Sequence, residues 1–338
     1  MRKRKFAIIG CEHAHIEIFM QEMLALGHES TGIYEPNNTQ LAKFFADKYQ
    51  IPLVNDQMQL LQDVELVGSS AINNEKIDII ERCEQLGKHI MVDKPAVTNR
   101  RDYERLQAVM KRGKIEIGML LTERFHPAVY TLKQQIDQGV LGELVSIGMR
   151  KPHLLNPSKR PAWFFSKERC GGILIDLLIH DYDLLRWFTG SDVIQSEGYM
   201  AKRTLPEFPD FYDTASVQVL MEGNVTAQLH ADWFTPSQSW TWGDGRIFLT
   251  GTEGFAELRL SGDPFVSDKA LVLLTTNSKA PTPVVLQQPR ETITGDFLLR
   301  IESKPSLLTS KDIVLATRAT IQADEQIRII HMGRGVKI

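Results

Sequence analysis

The sequence lacks a long hydrophobic run, a cysteine framework and an excess of basic charge. No segment approaches the roughly 18 consecutive apolar residues of a membrane-spanning helix, so we expect no membrane partner. The three cysteines are odd in number and widely spaced, which argues against a disulfide framework and for a reducing compartment. With 39 basic and 42 acidic residues, the net charge of -3 argues against a nucleic-acid partner.

The start of the chain also lacks the pattern of an export signal. The basic residues 2–5 are followed by apolar residues 6–9 only, and this run is too short for the hydrophobic part of a signal peptide. Together with the cysteine usage, this predicts a cytoplasmic protein.

The first 120 residues alternate short apolar runs with helical periodicity. Residues 6–9, 65–70 and 89–92 have the composition of buried strands, and helical patterns such as 39–49 lie between them. Such alternation predicts βαβ units and a doubly wound parallel sheet, whose strands are apolar throughout because both faces are covered. We therefore expect an α/β dinucleotide-binding domain of the Rossmann type over residues 1–121.

After residue 121 the pattern changes. A very apolar helix is predicted over 173–188, residues 193–286 are mostly strands separated by turns, and 312–330 is predicted as a final helix. This indicates an α+β domain over 122–338 with a largely antiparallel open sheet. Because few helices are available to cover its outer face, we expect a homo-oligomer built through this sheet.

The turn after the first strand carries only part of the dinucleotide-binding fingerprint G-x-G-x-x-G. Gly10 is the first glycine, but Glu12 stands at the second position and His15 at the third. A carboxylate beside a pyrophosphate is unfavourable, so the motif alone is weak evidence. Glu35, 25 residues after Gly10, is placed to bind the adenosine ribose and repel a 2′-phosphate, which predicts NAD, with NADP as the alternative.

The same turn contains an alternating group of metal-ligand types, Cys11, His13 and His15. Alternating residues in a turn are a poor tetrahedral set, and no second ligand pair such as CxxC is present. We therefore predict no metal, with His13 or His15 capping the helix or facing the cofactor. A metal-dependent lyase or hydrolase using these histidines and His180 is the weaker alternative.

Lys94 ends a predicted parallel strand and is followed by Pro95. Doubly wound sheets bind ligands at that edge, where a lysine can polarise a substrate oxygen or bind the cofactor ribose.

A second candidate lies in the apolar helix that follows Gly171 and Gly172. Asp176 and His180 are four residues apart and so share a helix face. An ionisable pair among apolar side chains is costly unless it is hydrogen-bonded or takes part in chemistry. The pair is therefore either catalytic or a structural pair whose members satisfy each other.

These motifs resemble the Gfo/Idh/MocA oxidoreductase family, which includes glucose–fructose oxidoreductase and inositol dehydrogenase. That family has E-K-P where this chain has 93–95, and a glycine-rich D-x-x-x-H helix matching Asp176 and His180. Residues 71–73 stand where the family often has T-P-N, and no histidine follows them. Further matches along nearly the whole chain are Arg124-Phe125, Pro127, Gly139 to Glu143, Gly251 to Gly254 and Ser310 to Asp312.

The resemblance implies that Lys94 and His180 flank the substrate hydroxyl and the nicotinamide, with Asp176 alongside. It implies sugar or cyclitol substrates and a homodimer or homotetramer with contacts through the C-terminal sheet. The candidate cofactor-binding residues are Gly10, Glu12, His13, His15, Glu35, Ala71, Asn73, Asp93, Lys94 and Arg124. The candidate substrate-binding residues are His153, Arg160, Trp163, Asp176 and His180.

Two segments that combine aromatic and charged residues, 151–163 and 232–242, are expected to set substrate specificity, because aromatic faces suit the C–H faces of a polyol. The sequence thus predicts an NAD(P)-dependent dehydrogenase or reductase acting on a CH–OH group. His180 would move the hydroxyl proton and Lys94 would stabilise the developing alkoxide. The alternative is a catalytically silent nicotinamide- or sugar-sensing regulator on the same fold.

Overall fold

The computed structural model describes residues 2–330 of the chain. The chain forms two compact units. The first contains the residues up to Thr122 together with Glu168–Gly171 and Glu291–Thr317, and the second contains Glu123–Lys167, Gly172–Arg290 and the described residues from Arg318 onward. The sequence had predicted that 168–171 and 291–317 belong to the second domain. No local sequence pattern shows that these two segments pack with the first unit. Within the described residues, no helix is both long and apolar enough to cross a membrane.

The first unit is built on a five-stranded parallel sheet. Its strands are β1 (Lys5–Cys11), β2 (Glu29–Tyr34), β3 (Leu66–Ser70), β4 (His89–Val92) and β5 (Ile117–Met119). Its first five helices are α1 (Ile16–Ala25), α2 (Thr39–Tyr49), α3 (Gln57–Gln62), α4 (Lys76–Gln85) and α5 (Arg100–Arg112). The strand order is β2-β1-β3-β4-β5, which confirms the predicted parallel sheet.

The order of these strands locates the ligand edge of the first unit. Strand β1 pairs with both β2 and β3, so the chain changes direction across the sheet at this point. In open α/β sheets, ligands bind outside the carboxyl ends of the strands at such a switch point. The ends of β1, β3 and β4, at Cys11, Ser70 and Val92, therefore form the edge where a dinucleotide is expected.

The second unit is built on a nine-stranded mixed sheet. Its strands are β6 (Leu144–Pro152), β7 (Val193–Ala201), β8 (Thr214–Met221), β9 (Thr226–Asp232), β10 (Arg246–Gly251), β11 (Gly254–Arg259), β12 (Leu271–Thr276), β13 (Lys279–Pro283) and β14 (Arg328–Ile330). Their order is β13-β12-β11-β10-β6-β9-β8-β7-β14. Only the β6–β9 and β14–β7 pairings are parallel, so the predicted, largely antiparallel sheet is confirmed.

The remaining helices correct two predictions. They are α6 (Pro127–Asp137), α7 (Lys167–Cys170), α8 (Gly172–Leu177), α9 (Ile179–Thr189), α10 (Ile293–Ile301) and α11 (Ser310–Gln326). The predicted final helix over 312–330 is too long, because residues 328–330 form β14 beside β7. The predicted helix over 173–188 is divided at Leu178. Its amide still donates to the Leu174 carbonyl at 3.0 Å and its own carbonyl accepts from Tyr182, so the helical path continues.

Candidate functional site

The turn after β1 is held tightly against the end of β3. Gly10 has φ of +81°, and a Cβ at this position would lie 2.4 Å from the Cβ of Ala71. Only glycine therefore fits both the backbone conformation and the close approach. The Glu12 amide donates to the Ser70 carbonyl at 2.9 Å, and the Ser70 hydroxyl donates to the His13 carbonyl at 2.8 Å. These contacts fix the turn at the ligand edge.

Glu35 binds the backbone around this turn. One of its carboxylate oxygens accepts a hydrogen bond from the Cys11 amide, and the other accepts from the amides of Asn37 at 2.6 Å and Asn38 at 3.1 Å. The carboxylate predicted to bind the ribose thus lies at the end of β2 and touches the first turn. Its contact with a ribose stays a prediction.

His13, His15 and Asp93 form an imidazole–carboxylate cluster at the same edge. His13 Nδ1 lies 3.0 Å from Asp93 Oδ2, and His15 Nδ1 lies 3.2 Å from Asp93 Oδ1. Burial alone would raise the pKa of Asp93, but His15 and His13 hold it well below its ordinary value. Burial, reinforced by His15, lowers the pKa of His13. The carboxylate is therefore ionised and is contacted by both rings.

Lys94 is buried directly after β4, and a second lysine holds the segment that carries it. The ammonium of Lys76 donates to the carbonyls of Asp93 at 2.8 Å and Pro95 at 3.1 Å, and to Asn73 Oδ1 at 2.8 Å. Lys76 is completely buried. It lies in the first turn of α4, where the helix dipole disfavours a cation. This unfavourable position is the signal by which the sequence could have revealed its role.

Replacing Lys76 with methionine should destabilise the first unit by about 3 kcal/mol, because two buried carbonyls lose their donor and each such loss costs about 1–3 kcal/mol. Urea unfolding followed by circular dichroism measures this change. Lys43→Met on the exposed surface of α2 is the matched control and should lie within about 0.5 kcal/mol of the unmodified protein. Equal stabilities of the two variants would refute the role given to Lys76.

In the second unit, Asp176 lies in the last turn of α8 and His180 in the first turn of α9. Asp176 is buried and His180 is partly exposed. The helix break at Leu178 therefore falls between the two candidate catalytic residues. The sequence had predicted that both lie in a single helix.

The start of α9 also carries two buried ion pairs. Arg124 donates to Asp183 through Nε at 2.7 Å and Nη2 at 2.6 Å, and both side chains are almost fully buried. The part of Arg124 in cofactor binding stays a prediction. Lys151 contacts Glu123 and lies 3.0 Å from Asp181. Sequence reasoning missed both pairs, although the run of acidic residues beside His180 was a signal for them.

Burial strongly affects the pKa of Asp181, which lies beside His180 in the chain. Burial raises its pKa to about 7, Lys151 opposes the shift and Glu123 reinforces it. Burial lowers the pKa of Lys151, but Asp181 and Glu123 outweigh that effect and raise it above its ordinary value. Two carboxyl groups therefore share one buried ammonium next to His180.

An aromatic cluster surrounds Arg160 in the second unit. Its guanidinium lies 4.5 Å from the ring centre of Phe164, 5.3 Å from that of Trp233 and 5.5 Å from that of Trp242. His153 packs edge-on against Trp233 with ring centres 5.6 Å apart. The structure thus brings together His153, Arg160 and two tryptophans of the segments expected to set specificity. Trp163 is buried, whereas Trp240 is about half exposed.

The residues at the edge of the first unit fit a dinucleotide. The Gly10 turn leaves no room for a side chain, no side chain caps α1, and Glu35 lies against the turn. A turn of this kind lets the pyrophosphate approach the backbone at the start of the first helix. When bound, the nicotinamide supplies the hydride chemistry. Gly10, Ala71 and Glu35 are the residues expected to hold the dinucleotide.

Comparison with known proteins agrees with this architecture. Residues 4–118 match the family model for an oxidoreductase family with an NAD-binding Rossmann fold, and residues 129–257 match the GFO/IDH/MocA C-terminal domain. Inositol 2-dehydrogenase of Rhizobium meliloti (strain 1021) is 29% identical over 207 residues, which are 59% of this chain and 58% of that protein. The chain thus spans less than two thirds of that relative's length.

Solved structures extend the likeness to nearly the whole chain. A structure from Erwinia carotovora atroseptica SCRI1043 has a TM-score of 0.88 at 26% identity and covers 97% of this chain and 100% of its own. A 3-ketoreductase from Actinomadura kijaniata, in complex with NADP and TDP-benzene, has a TM-score of 0.78 at 17% identity, covers 98% and 100% of the two chains, and shows likeness of fold alone. The chain belongs to the Gfo/Idh/MocA family of oxidoreductases, and its first unit is the family's NAD-binding Rossmann domain.

Proposed function

We propose that this protein transfers a hydride between a nicotinamide cofactor and the CH–OH or carbonyl carbon of a sugar, sugar derivative or cyclitol. The observation that carries the proposal is the position of Lys94. It is a buried lysine at the carboxyl edge of β4, the same edge as the Gly10 turn, and its segment is held by the buried Lys76. A cation held at that edge suits the stabilisation of an alkoxide that develops beside a nicotinamide.

The chain's own residues would divide the chemistry between them. Lys94 stabilises the developing alkoxide, His180 accepts or returns the hydroxyl proton, and Asp176 orients the site and binds a second hydroxyl. The name of the matched inositol dehydrogenase supports a cyclitol or related polyol. Trp242 of the aromatic cluster around Arg160 supports the same class of substrate, because it is about half exposed and an open ring face suits the C–H faces of a polyol.

The test is the nicotinamide absorbance after NAD⁺ or NADP⁺ is mixed with the protein and a panel of inositols, aldoses and their derivatives. We expect at least one of these compounds to reduce the cofactor, and Lys94→Ala to abolish most of that rate. The alternative function, sensing without turnover, is supported by Glu12 and His15 at the fingerprint glycine positions. Saturable binding of dinucleotide and sugar with no turnover across the panel would favour the regulator.

We expect the unmodified protein to prefer NAD(H) to NADP(H), because the Glu35 carboxylate would repel a 2′-phosphate. Glu35→Arg should shift the ratio of the two dissociation constants toward NADP(H) by about 10-fold or more, equivalent to about 1.4 kcal/mol. Calorimetric titration of both cofactors measures the ratio, and Glu29→Gln on the same strand is the control. If the unmodified protein binds NADP(H) as tightly as NAD(H), the role given to Glu35 is wrong.

We also expect a homo-oligomer that forms through the nine-stranded sheet. Along β8 the side chains alternate between buried and less buried positions. Tyr199 on β7 and Phe248 on β10 are separated by three strands but line the same open face of the sheet, and both are about half exposed. An aromatic sheet face of this kind is typical of a subunit interface. Light scattering at micromolar concentration should give the mass of a dimer or tetramer, and a monomer mass would overturn the prediction. The cytoplasmic location likewise stays a prediction.

A further inference from the structure

Among the described residues, His13, His15 and Asp93 form a group whose ligand atoms all lie within 4.8 Å of one another. We propose that this imidazole–carboxylate cluster binds a divalent transition-metal ion. The sequence predicted no metal because the turn alone offers no complete ligand set. The structure adds Asp93, 78 residues from His15, as a third ligand.

The distances in the cluster suit a common metal. Zinc binds imidazole nitrogen and carboxylate oxygen at about 2.0–2.2 Å, so neighbouring ligand atoms around a tetrahedral ion are about 3.3–3.6 Å apart. The two nitrogen–oxygen separations, 3.0 Å for His13 and 3.2 Å for His15, are only a few tenths of an ångström shorter than this range. The rings engage different oxygens of the carboxylate. A single ion facing both oxygens can therefore be reached with small side-chain rotations.

Hydrogen bonding alone leaves part of this arrangement unexplained. His13 Nδ1 is shielded from solvent, yet its contact with Asp93 lacks the geometry of a hydrogen bond. A ring nitrogen that faces a carboxylate oxygen without a well-placed proton is the arrangement expected of two metal ligands. His15 does make a hydrogen bond to the other oxygen, and Asp93 Oδ1 also accepts from the Lys94 amide at 2.8 Å. Such additional contacts orient a ligating carboxylate.

The ligand types indicate which ions fit. Two imidazoles and one carboxylate suit Zn²⁺, Co²⁺, Ni²⁺ or Fe²⁺ and disfavour Mg²⁺ and Ca²⁺, which prefer oxygen ligands. The side chains of His13 and His15 are 32% and 47% exposed, so an ion can enter from solvent and keep open positions for water or another ligand. With neutral imidazoles, the bound ion would turn a local charge of minus one into plus one.

This proposal goes beyond the proposed function and does not depend on it, because metal binding can be measured with no dinucleotide or substrate present. The full-length protein is stripped with a chelator and titrated calorimetrically with ZnCl₂. Titration with CoCl₂ is followed by visible absorption, which reports the coordination number and geometry of the bound ion. We expect one ion per chain and a Co²⁺ spectrum that differs from that of the aqueous ion.

Three variants test the ligands one at a time. His13→Ala, His15→Ala and Asp93→Asn should each weaken Zn²⁺ binding by about 100-fold or more, since even indirect contacts to a metal ligand are worth about 10- to 100-fold. The matched control is His230→Ala, which removes another imidazole that lies 3.0 Å from an aspartate, Asp232. Among the described residues, His230 does not belong to a group of three possible metal ligands. We expect this control to bind metal like the unmodified protein.

Folding is checked by melting each metal-free variant. Because His15 is about half exposed, His15→Ala is the substitution least able to disturb the fold. Its effect on Zn²⁺ binding therefore tests the proposal even if the Asp93 variant is unstable. Absence of stoichiometric binding would overturn the proposal. Binding that survives all three substitutions, or that falls equally in the His230 control, would overturn it as well.

Discussion

His180→Ala is expected to lower kcat by about 10²–10⁴-fold, the usual contribution of a positioned proton-transfer group. His180 lies in the first turn of α9 in the second unit, whereas the dinucleotide is expected at the edge of the first. The affinity for NAD(H) should therefore change little. The pH profile of kcat/KM should also lose one limb, because the titrating acid/base is gone. Steady-state kinetics over a range of pH, with calorimetry of NADH binding, measure all three effects.

A structural role for Asp176 and His180 predicts a different result. If the two residues only satisfied each other, removing His180 would leave a buried carboxylate unpaired and cost about 3–5 kcal/mol of stability. Turnover per folded molecule would then stay normal while the melting temperature fell. His126→Ala is the matched control, because it removes another partly buried histidine of the second unit, one that accepts from the Ala128 amide at the start of α6. That control should keep normal turnover.

Arg124→Met is expected to have the largest effect on stability. The Arg124 and Asp183 side chains are 1% and 2% exposed and are joined by two hydrogen bonds, and Arg124 also lies 5.3 Å from the ring centre of Trp187. Removing one partner of a buried pair leaves an uncompensated charge, which costs about 3–5 kcal/mol. For a unit of this size, this corresponds to a fall in melting temperature of roughly 10 °C.

Removing both charges together should recover most of that loss, because a buried ion pair replaced by apolar side chains of similar volume is often neutral in stability. Arg124→Met combined with Asp183→Leu should therefore melt well above Arg124→Met alone. Asp137→Asn, which breaks the more exposed pair with Lys133, is the control and should cost less than about 1 kcal/mol. An Arg124→Met protein as stable as this control would show that the buried pair has no stabilising role.

Local pattern predicted most of the first unit, because each element there has its own periodicity and its own end signals. Helix α2 lies over Thr39–Tyr49 as predicted, and the side chain of Asn38 caps it by accepting from the Leu41 amide. Strand β6 was not predicted, because its last two residues, Lys151 and Pro152, begin a segment rich in proline and basic residues that is typical of a loop. Its place beside β9 and β10 is decided by pairing across the sheet. Strand β14 has three residues and pairs with β7, more than 120 residues away.

The place of Lys94 was predictable, because a lysine and a strand end coincide there, whereas the helix boundary just before His180 was not. The roles of both residues stay predictions. The candidate site was not predictable where the role depends on a distant partner. The Asp93 carboxylate meets His15 across 78 residues, and Glu35 meets the Cys11 amide across 24. Lys76 was assigned only to the start of a helix, because its acceptors belong to another loop. Such contacts are set by the order of strands in the sheet, which local periodicity does not contain.

The first unit is expected to hold a nicotinamide dinucleotide despite the altered first turn. The most direct test is the melting temperature of the full chain in increasing NAD(H) and NADP(H). A ligand that binds only the folded state must stabilise it, by about 2.7 kcal/mol at 100 times its dissociation constant. We predict a saturable rise with at least one dinucleotide, larger for NAD(H) and reduced when Glu35 is replaced. A melting temperature unmoved by millimolar concentrations of all four cofactor forms would contradict the account.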